Sequence, residues 1–318
     1  MANINEVRNT VLAIANKNNY GYITPQDFNL YAQQAQMDMF EDYFYMYNSW
    51  IQRQNARASG SGYADINKNL LEVMDFFSVH QTLGQPIATA NVYTLPRDYY
   101  FINKVFHYSN LLFEGTTTAT NNLQLIDANV IGWTTIPASA PTPPIGSLVV
   151  NTDTFAEAYV TGVVNSTTVN LSQNIFTAIG ENYRIFDNTK IREVERVSQK
   201  KIFYLTNSKL TAPTNIFPAY VMEGDTITVY PSNLTARAGI RTQYIRYPRP
   251  PRWTFREVQL GEPIYDPSQP DFQDFELPDS DEPTLIAKIC QYVGIEIREP
   301  EVYNFGKTEE DNETRETS

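Results

Sequence analysis

Apolar residues recur at helical spacing through the first quarter of the chain. The pattern predicts one helix over Ile4 to Ala15 and a longer one from Pro25 to about Gln54. Thr24-Pro25-Gln26-Asp27 opens the second: Thr24 caps free N–H groups, Pro25 suits the first helical position, and Asp27 faces the positive end. From Phe28, one face collects Tyr31, Ala32, Ala35, Met39, Tyr43, Met46 and Trp50. Phe40, Phe44, Tyr47 and Ile51 form another. A helix apolar on two sides needs cover on two sides. That cover comes either from the centre of its own domain or from another copy or partner. Phe40, Tyr43, Phe44, Tyr47 and Trp50 are therefore the first candidates for an interface.

A Ser-Gly break at Ser59–Gly62 precedes a third expected helix near Ile66 to Phe77, and Ala90 to Pro96 reads as extended. From Phe113 to Asp187 charge density drops and Thr, Asn and Val dominate. Runs at Leu148–Val150, Ala158–Val164, Thr168–Leu171 and Tyr183–Phe186 predict four short strands, with Ile136 to Ile145 as a Pro-rich loop. This block reads as an insertion, since segments of ordinary charge resume at Lys190. A helix is expected over Ile191 to Asn207, strands at Thr226–Tyr230 and Thr242–Ile245, and a last helix from Pro283 to Val293, ended by Gly294. The expectation is an α+β protein. Residues 1–81 form a helical bundle, 82–112 with 188–266 a mixed core, and 113–187 an inserted small β-barrel or sandwich. Residues 267–318 form an extended, acidic C-terminal arm with a short helix and a solvated tail.

The chain has 318 residues, 42% apolar and 19% charged, with a net charge of −12. That is the profile of a folded protein with room for two or three modules. The acidic balance disfavours binding to nucleic acid through phosphate neutralisation, yet suits a surface that DNA slides past. Cys290 is the only cysteine and sits at helical spacing from Ile286, as a small buried apolar residue would. The N-terminal residues lack an apolar secretory core, and no run of about 18 apolar residues occurs. Synthesis in a cytoplasm, with no membrane span, is expected.

Candidate chemistry is sparse. Asn16, Asn18, Tyr20, Gly21, Thr24 and Asp27 occupy calcium-loop spacing, but Asp27 is the sole carboxylate among them. A Gly21-assisted turn with Asp27 at the helix start is the preferred reading, and no metal is expected. His80 and His107 lack zinc-site spacing. No nucleophile elbow, phosphate-binding loop or dinucleotide fingerprint occurs. Glu193 with Glu195 and Asp279 with Asp281 are surface-type pairs. No catalytic residue and no cofactor is expected. Tyr247-Pro248-Arg249-Pro250-Pro251-Arg252-Trp253 carries a P-x-x-P spacing and should adopt polyproline II. It serves either as a docking ligand or, the favoured reading, as a rigid strut against its own domain. A strut crossing a subunit boundary would do both, so Pro248, Arg249, Pro250, Pro251, Arg252 and Trp253 join the interface candidates. Arg249 and Arg252 could pair with Asp279 or Glu282.

Several strings taken in order carry a resemblance: Asn3 to Thr10, Tyr22 to Asn29, Tyr93 to Tyr99, Tyr247 to Trp253 and Glu296 to Tyr303. Together they resemble virion structural proteins of crAss-like bacteriophages, specifically the ring or head-to-tail adaptor proteins beneath the portal. The resemblance spans both ends and the middle and constrains 113–187 least. It implies a non-enzymatic virion protein in the neck or tail, with twelve copies in a cyclic homo-oligomer. Its partners would be the portal protein, other ring or tail proteins, and passing double-stranded DNA held without specific binding. Two other classes are weighed beside it: a host-surface tail protein whose β-module reads glycans, and a virion hydrolase with two distant carboxylates.

Overall fold

The computed structural model describes residues 1–15, 23–56, 72–87, 90–130, 133, 143–234, 238–257, 263–296, 304 and 307–308, with backbone alone for 47–56 and 295–296. The protein is α+β and divides into two compact units: Met1–Phe77 with Tyr247–Ser318, and Ser78–Arg246.

In the first unit, α1 (Ile4–Ala15) and α2 (Pro25–Ala56) both begin on side-chain caps. Asn3 Oδ1 accepts the Asn5 N–H at 2.9 Å, and Thr24 Oγ1 accepts the Asp27 N–H at 3.1 Å. Thr24 in turn donates its hydroxyl to the Asp27 carboxylate, which places Asp27 at the helix start. The buried face of α1 is Ile4, Val7, Arg8, Val11 and Ala15, and it shares one core with Phe28, Ala32, Ala35 and Met39 of α2, the last helix packing against both. Residues beyond Phe275 close this core. Phe275 and Leu277 are fully enclosed, and the last helix, Glu282–Glu296, adds Leu285, Ile289, Cys290 and Val293. Gly294 was expected to end that helix. It lies inside it and is buried. Of the segment read as an extended arm, Phe275 to Val293 thus contributes to one core with α1 and α2. A short two-stranded ribbon (Phe255–Glu257 with Pro263–Tyr265) completes the unit, and 72–76 is helical.

The Pro-rich segment is a strut of this unit. Pro248 and Pro251 are buried while Arg249, Pro250 and Arg252 are exposed, the period of three that polyproline II gives. Two side chains seven residues apart on α2 pin it. Asn29 Oδ1 accepts the Trp253 N–H at 2.8 Å and Asn29 Nδ2 donates to Trp253 O at 3.1 Å, while Gln36 Nε2 donates to Arg249 O at 2.8 Å. Trp253 is almost wholly enclosed. Arg8 lies 3.9 Å over its ring, Phe255 and Tyr265 stack at 5.7 and 5.9 Å, and its indole N–H donates to Asn5 Oδ1 at 3.1 Å. Truncating such a residue costs about 3–5 kcal/mol.

The second unit holds two seven-stranded sheets. The first has the order β1-β14-β3-β11-β12-β13-β2. Its strands are β1 (Ser78–Thr82), β2 (Val92–Thr94), β3 (Tyr99–Tyr108), β11 (Ile191–Arg196), β12 (Ala219–Glu223), β13 (Thr226–Tyr230) and β14 (Ile240–Arg246). Every pairing is antiparallel except β11 with β12, whose connection carries α3 (Gln199–Asn207). Here the sequence expectation of one helix over Ile191–Asn207 is corrected. Ile191–Arg196 is a strand because its burial alternates: Val194 is enclosed opposite Val105, between exposed Glu193 and Glu195. The helix starts only after Ser198, whose Oγ accepts the Lys201 N–H.

Between β3 and β11 in sequence lies the second sheet, order β4-β10-β7-β8-β9-β6-β5, antiparallel throughout. Its strands are β4 (Leu111–Thr116), β5 (Ala119–Asn121), β6 (Gln124–Ile126), β7 (Leu148–Asn151), β8 (Glu157–Asn165), β9 (Thr168–Leu171) and β10 (Asn182–Phe186). The four expected strands are β7 to β10, while β4 to β6 escaped the pattern. β7 is buried at every position, with Val149 facing one apolar cluster and Leu148 and Val150 the other. The chain enters and leaves this sheet side by side. The Ser109 N–H donates to Lys190 O at 3.3 Å and the Asp187 N–H to Asn110 O at 3.0 Å, joining the β3–β11 and β4–β10 pairings.

Candidate functional site

The structure sorts the aromatic candidates on α2. Phe40 is fully buried, with Phe44 and Phe77 edge-on at 5.0 and 5.1 Å and Tyr247 at 6.0 Å. Tyr43 is buried and donates its hydroxyl to Asp281. Phe44 is half-buried. For Phe40 and Tyr43 the second cover is supplied by the subunit itself, through Phe77, Tyr247 and Asp281. Tyr45 is 75% exposed and Met46 39%. The side chains of Tyr47 and Trp50 lie outside the described residues.

In the strut, Pro248, Pro251 and Trp253 face the core. Arg252 pairs with Asp271 at 3.0 Å, and the Arg249 backbone N–H donates to Glu276 at 2.8 Å. Asp279 instead pairs with the N-terminal amine at 2.6 Å. Within the subunit Arg252 thus pairs with Asp271 in place of the expected Asp279 or Glu282. The strut runs antiparallel to the segment at Gln273, bridged at Arg252.

The calcium-like spacing spans 16–27, of which 16–22 lie outside the described residues; Asp27 serves the α2 cap. Cys290 is buried, and burial alone pushes its thiol up to about 12, the behaviour of an apolar core residue. His107 is enclosed between β11 and β14, and its Nδ1 has no partner among the described residues. Burial, then the neighbouring Arg192 guanidinium, lowers its pKa to about 4. Among the described residues no group of three or more His, Cys, Asp or Glu side chains is placed to hold a metal. No helix among them is long and apolar enough to cross a membrane.

Three features were missed in sequence. An ion pair joins the two sheets of the second unit: Arg241 on β14 donates to Glu157 on β8 at 2.5 Å and to the hydroxyls of Tyr159 and Tyr108 at 2.7 and 3.2 Å. Thr82 donates to the same carboxylate at 2.8 Å. Burial opposes the charge on Arg241, but Glu157 and the two phenols outweigh it and raise the guanidinium pKa. In the second sheet, buried Tyr183 donates to Asp127 at 2.8 Å, which burial and the carboxylate reflect in a raised phenol pKa.

The third is the connection from β11 to β12. Phe203, Tyr204, Leu210, Ile216 and Phe217 are 65, 65, 97, 59 and 78% exposed. Residues 196–218 also contain Arg196, Lys200, Lys201 and Lys209 and no acid. That charge bias was readable in the sequence. The exposure was not, because Ile202 and Leu205 give α3 an ordinary inward face.

No protein-family model matches the chain, and no curated protein matches it.

Proposed function

We propose that the chain is a structural virion protein that assembles into a ring between portal and tail and continues the DNA channel, without enzymatic chemistry. The observation that carries it is the amount of large apolar side chain left in solvent at fixed positions. Tyr45 on α2 and the five residues of the β11–β12 connection stand out while both units close well-packed cores. Monomers rarely expose apolar patches beyond a few hundred Å², and a ring repeats each contact around its axis. The ordered strings that resemble those of neck adaptors and the acidic balance, which suits DNA passing without sticking, point the same way. Twelve copies, portal and tail partners and a virion location belong to this reading.

The test is mass measurement of the purified chain, alone and mixed with a portal protein. A closed oligomer of one defined copy number is expected in at least one condition. A chain that stays monomeric in both refutes the reading. Tyr45→Asp leaves the subunit melt unchanged and weakens assembly or portal binding if α2 carries a contact.

A further inference from the structure

One exposed apolar segment of the chain is basic, and one apolar hollow carries an acid. The connection at 196–218 exposes five large apolar side chains among four bases and no acid, in a chain of net charge −12. Covering its five exposed side chains would remove roughly 730 Å² from water, taking about 200 Å² for each fully exposed large residue. A stable contact buries about 800 Å² per partner. The first unit has the counterpart: a hollow of about 410 Å³ walled by Val73, Phe76, Phe77, Leu277 and Pro278. Glu72 and Met1 also line it; the Met1 amine pairs with Asp279 at 2.6 Å, and Asp75 is exposed on the same short helical stretch as Glu72. Phe76, 46% exposed, stands at the edge of the hollow.

We infer that exposed apolar side chains of residues 196–218 of one copy seat in this hollow of the next copy, with the bases of that segment facing Glu72. The inference rests on the ring reading and names the contact that closes it. Segment and hollow are different surfaces, so a single contact of this kind runs head-to-tail, the type that generates rings when the rotation closes, whereas a reciprocal two-fold pair would stop at a dimer. The four bases of the segment oppose its pairing with the same segment of another copy.

Cysteine trapping in the full chain tests it, since buried Cys290 does not compete and unmodified protein gives the blank. Phe76→Cys protein mixed with Phe217→Cys protein should form a disulfide-linked dimer on copper–phenanthroline oxidation, and neither should do so alone. A chain carrying both changes should give a ladder that stops at one copy number. Lys200→Glu with Lys201→Glu should weaken assembly at least tenfold, and a partner bearing Glu72→Lys with Asp75→Lys should restore it. If unmodified protein forms rings but the mixed cysteines do not link, this contact is wrong and the ring reading stands. If there is neither assembly nor linkage, with or without portal, both fall. Binding of the monomer to anionic vesicles that Phe203→Ser with Phe217→Ser abolishes would make lipid the occupant and overturn the inference.

Discussion

Replacing Arg241 by Met tests how firmly the two sheets of the second unit are locked together. The side chains of Arg241 and Glu157 are only 10 and 16% exposed. Removing the guanidinium leaves Glu157 buried with the Thr82 hydroxyl as its remaining donor, and leaves the hydroxyls of Tyr108 and Tyr159 without theirs. Breaking a buried pair from one side costs about 3–5 kcal/mol, far above the ~0–1 kcal/mol of a surface pair. For a unit of this size each kcal/mol moves the melting midpoint by about 2–4 °C, so a fall of roughly 6–20 °C is expected. Glu157→Leu should cost a similar amount. The double change Arg241→Met with Glu157→Leu should recover most of either loss, because no unpaired charge then remains. Differential scanning calorimetry on the four proteins yields the coupling energy directly. Additive losses of under about 1 kcal/mol each would refute the argument, since they would mean that water reaches the pair.

Two further changes probe the same unit. His107 is neutral in the fold, its pKa lowered to about 4 by burial and then Arg192, against 6.5 unfolded. Below pH 6.5 the unfolded chain takes up a proton that the folded chain refuses. Stability from this group is therefore complete above pH 6.5 and declines toward pH 4, by roughly 3 kcal/mol in all. Urea midpoints across that range should fall, and His107→Gln should flatten part of the decline. Gly115→Ala would place a Cβ 2.6 Å from Asp127 Oδ2 and 2.8 Å from the Tyr183 hydroxyl, disrupting their buried bond. A loss of about 1–3 kcal/mol in thermal unfolding is expected. Gly162→Ala, whose nearest neighbour atom is 3.9 Å away, is the control that should show little change.

The helices of the first unit were legible because their apolar spacing and caps agree. Thr24, Pro25 and Asp27 did what their chemistry dictates at a helix start, and the strut reading of Tyr247–Trp253 followed from its proline spacing. What covers α2 was not legible. Periodicity marks an apolar face but not its partner, and Phe77, Tyr247 and Asp281 reach Phe40 and Tyr43 from distant parts of the chain. Ile191–Arg196 was misread because six residues hold too few periods to separate a strand from a helix beside a true helix. β4 to β6 were invisible for a related reason: they are three to six residues long and mostly half-exposed, so little alternation survives. Arg241 and Glu157 lie 84 positions apart, and no local signal marks such a pair.

The hydrogen-bonded neck at Ser109–Asn110 and Asp187–Lys190 makes the second sheet a graft on a single hairpin. Entry and exit lie one hydrogen bond apart, so a tight turn from Tyr108 to Ile191 could replace the whole β4–β10 excursion without disturbing the strand order of the host sheet. Length, loops and outer face of the second sheet are thus not set by the pairing of β3 with β11. Its loss would strand the guanidinium on β14 and uncover Phe106, Tyr108 and Ala238, which share an apolar cluster with Leu148, Val150 and Phe186, so a shortened descendant should have replaced that arginine and made this face polar.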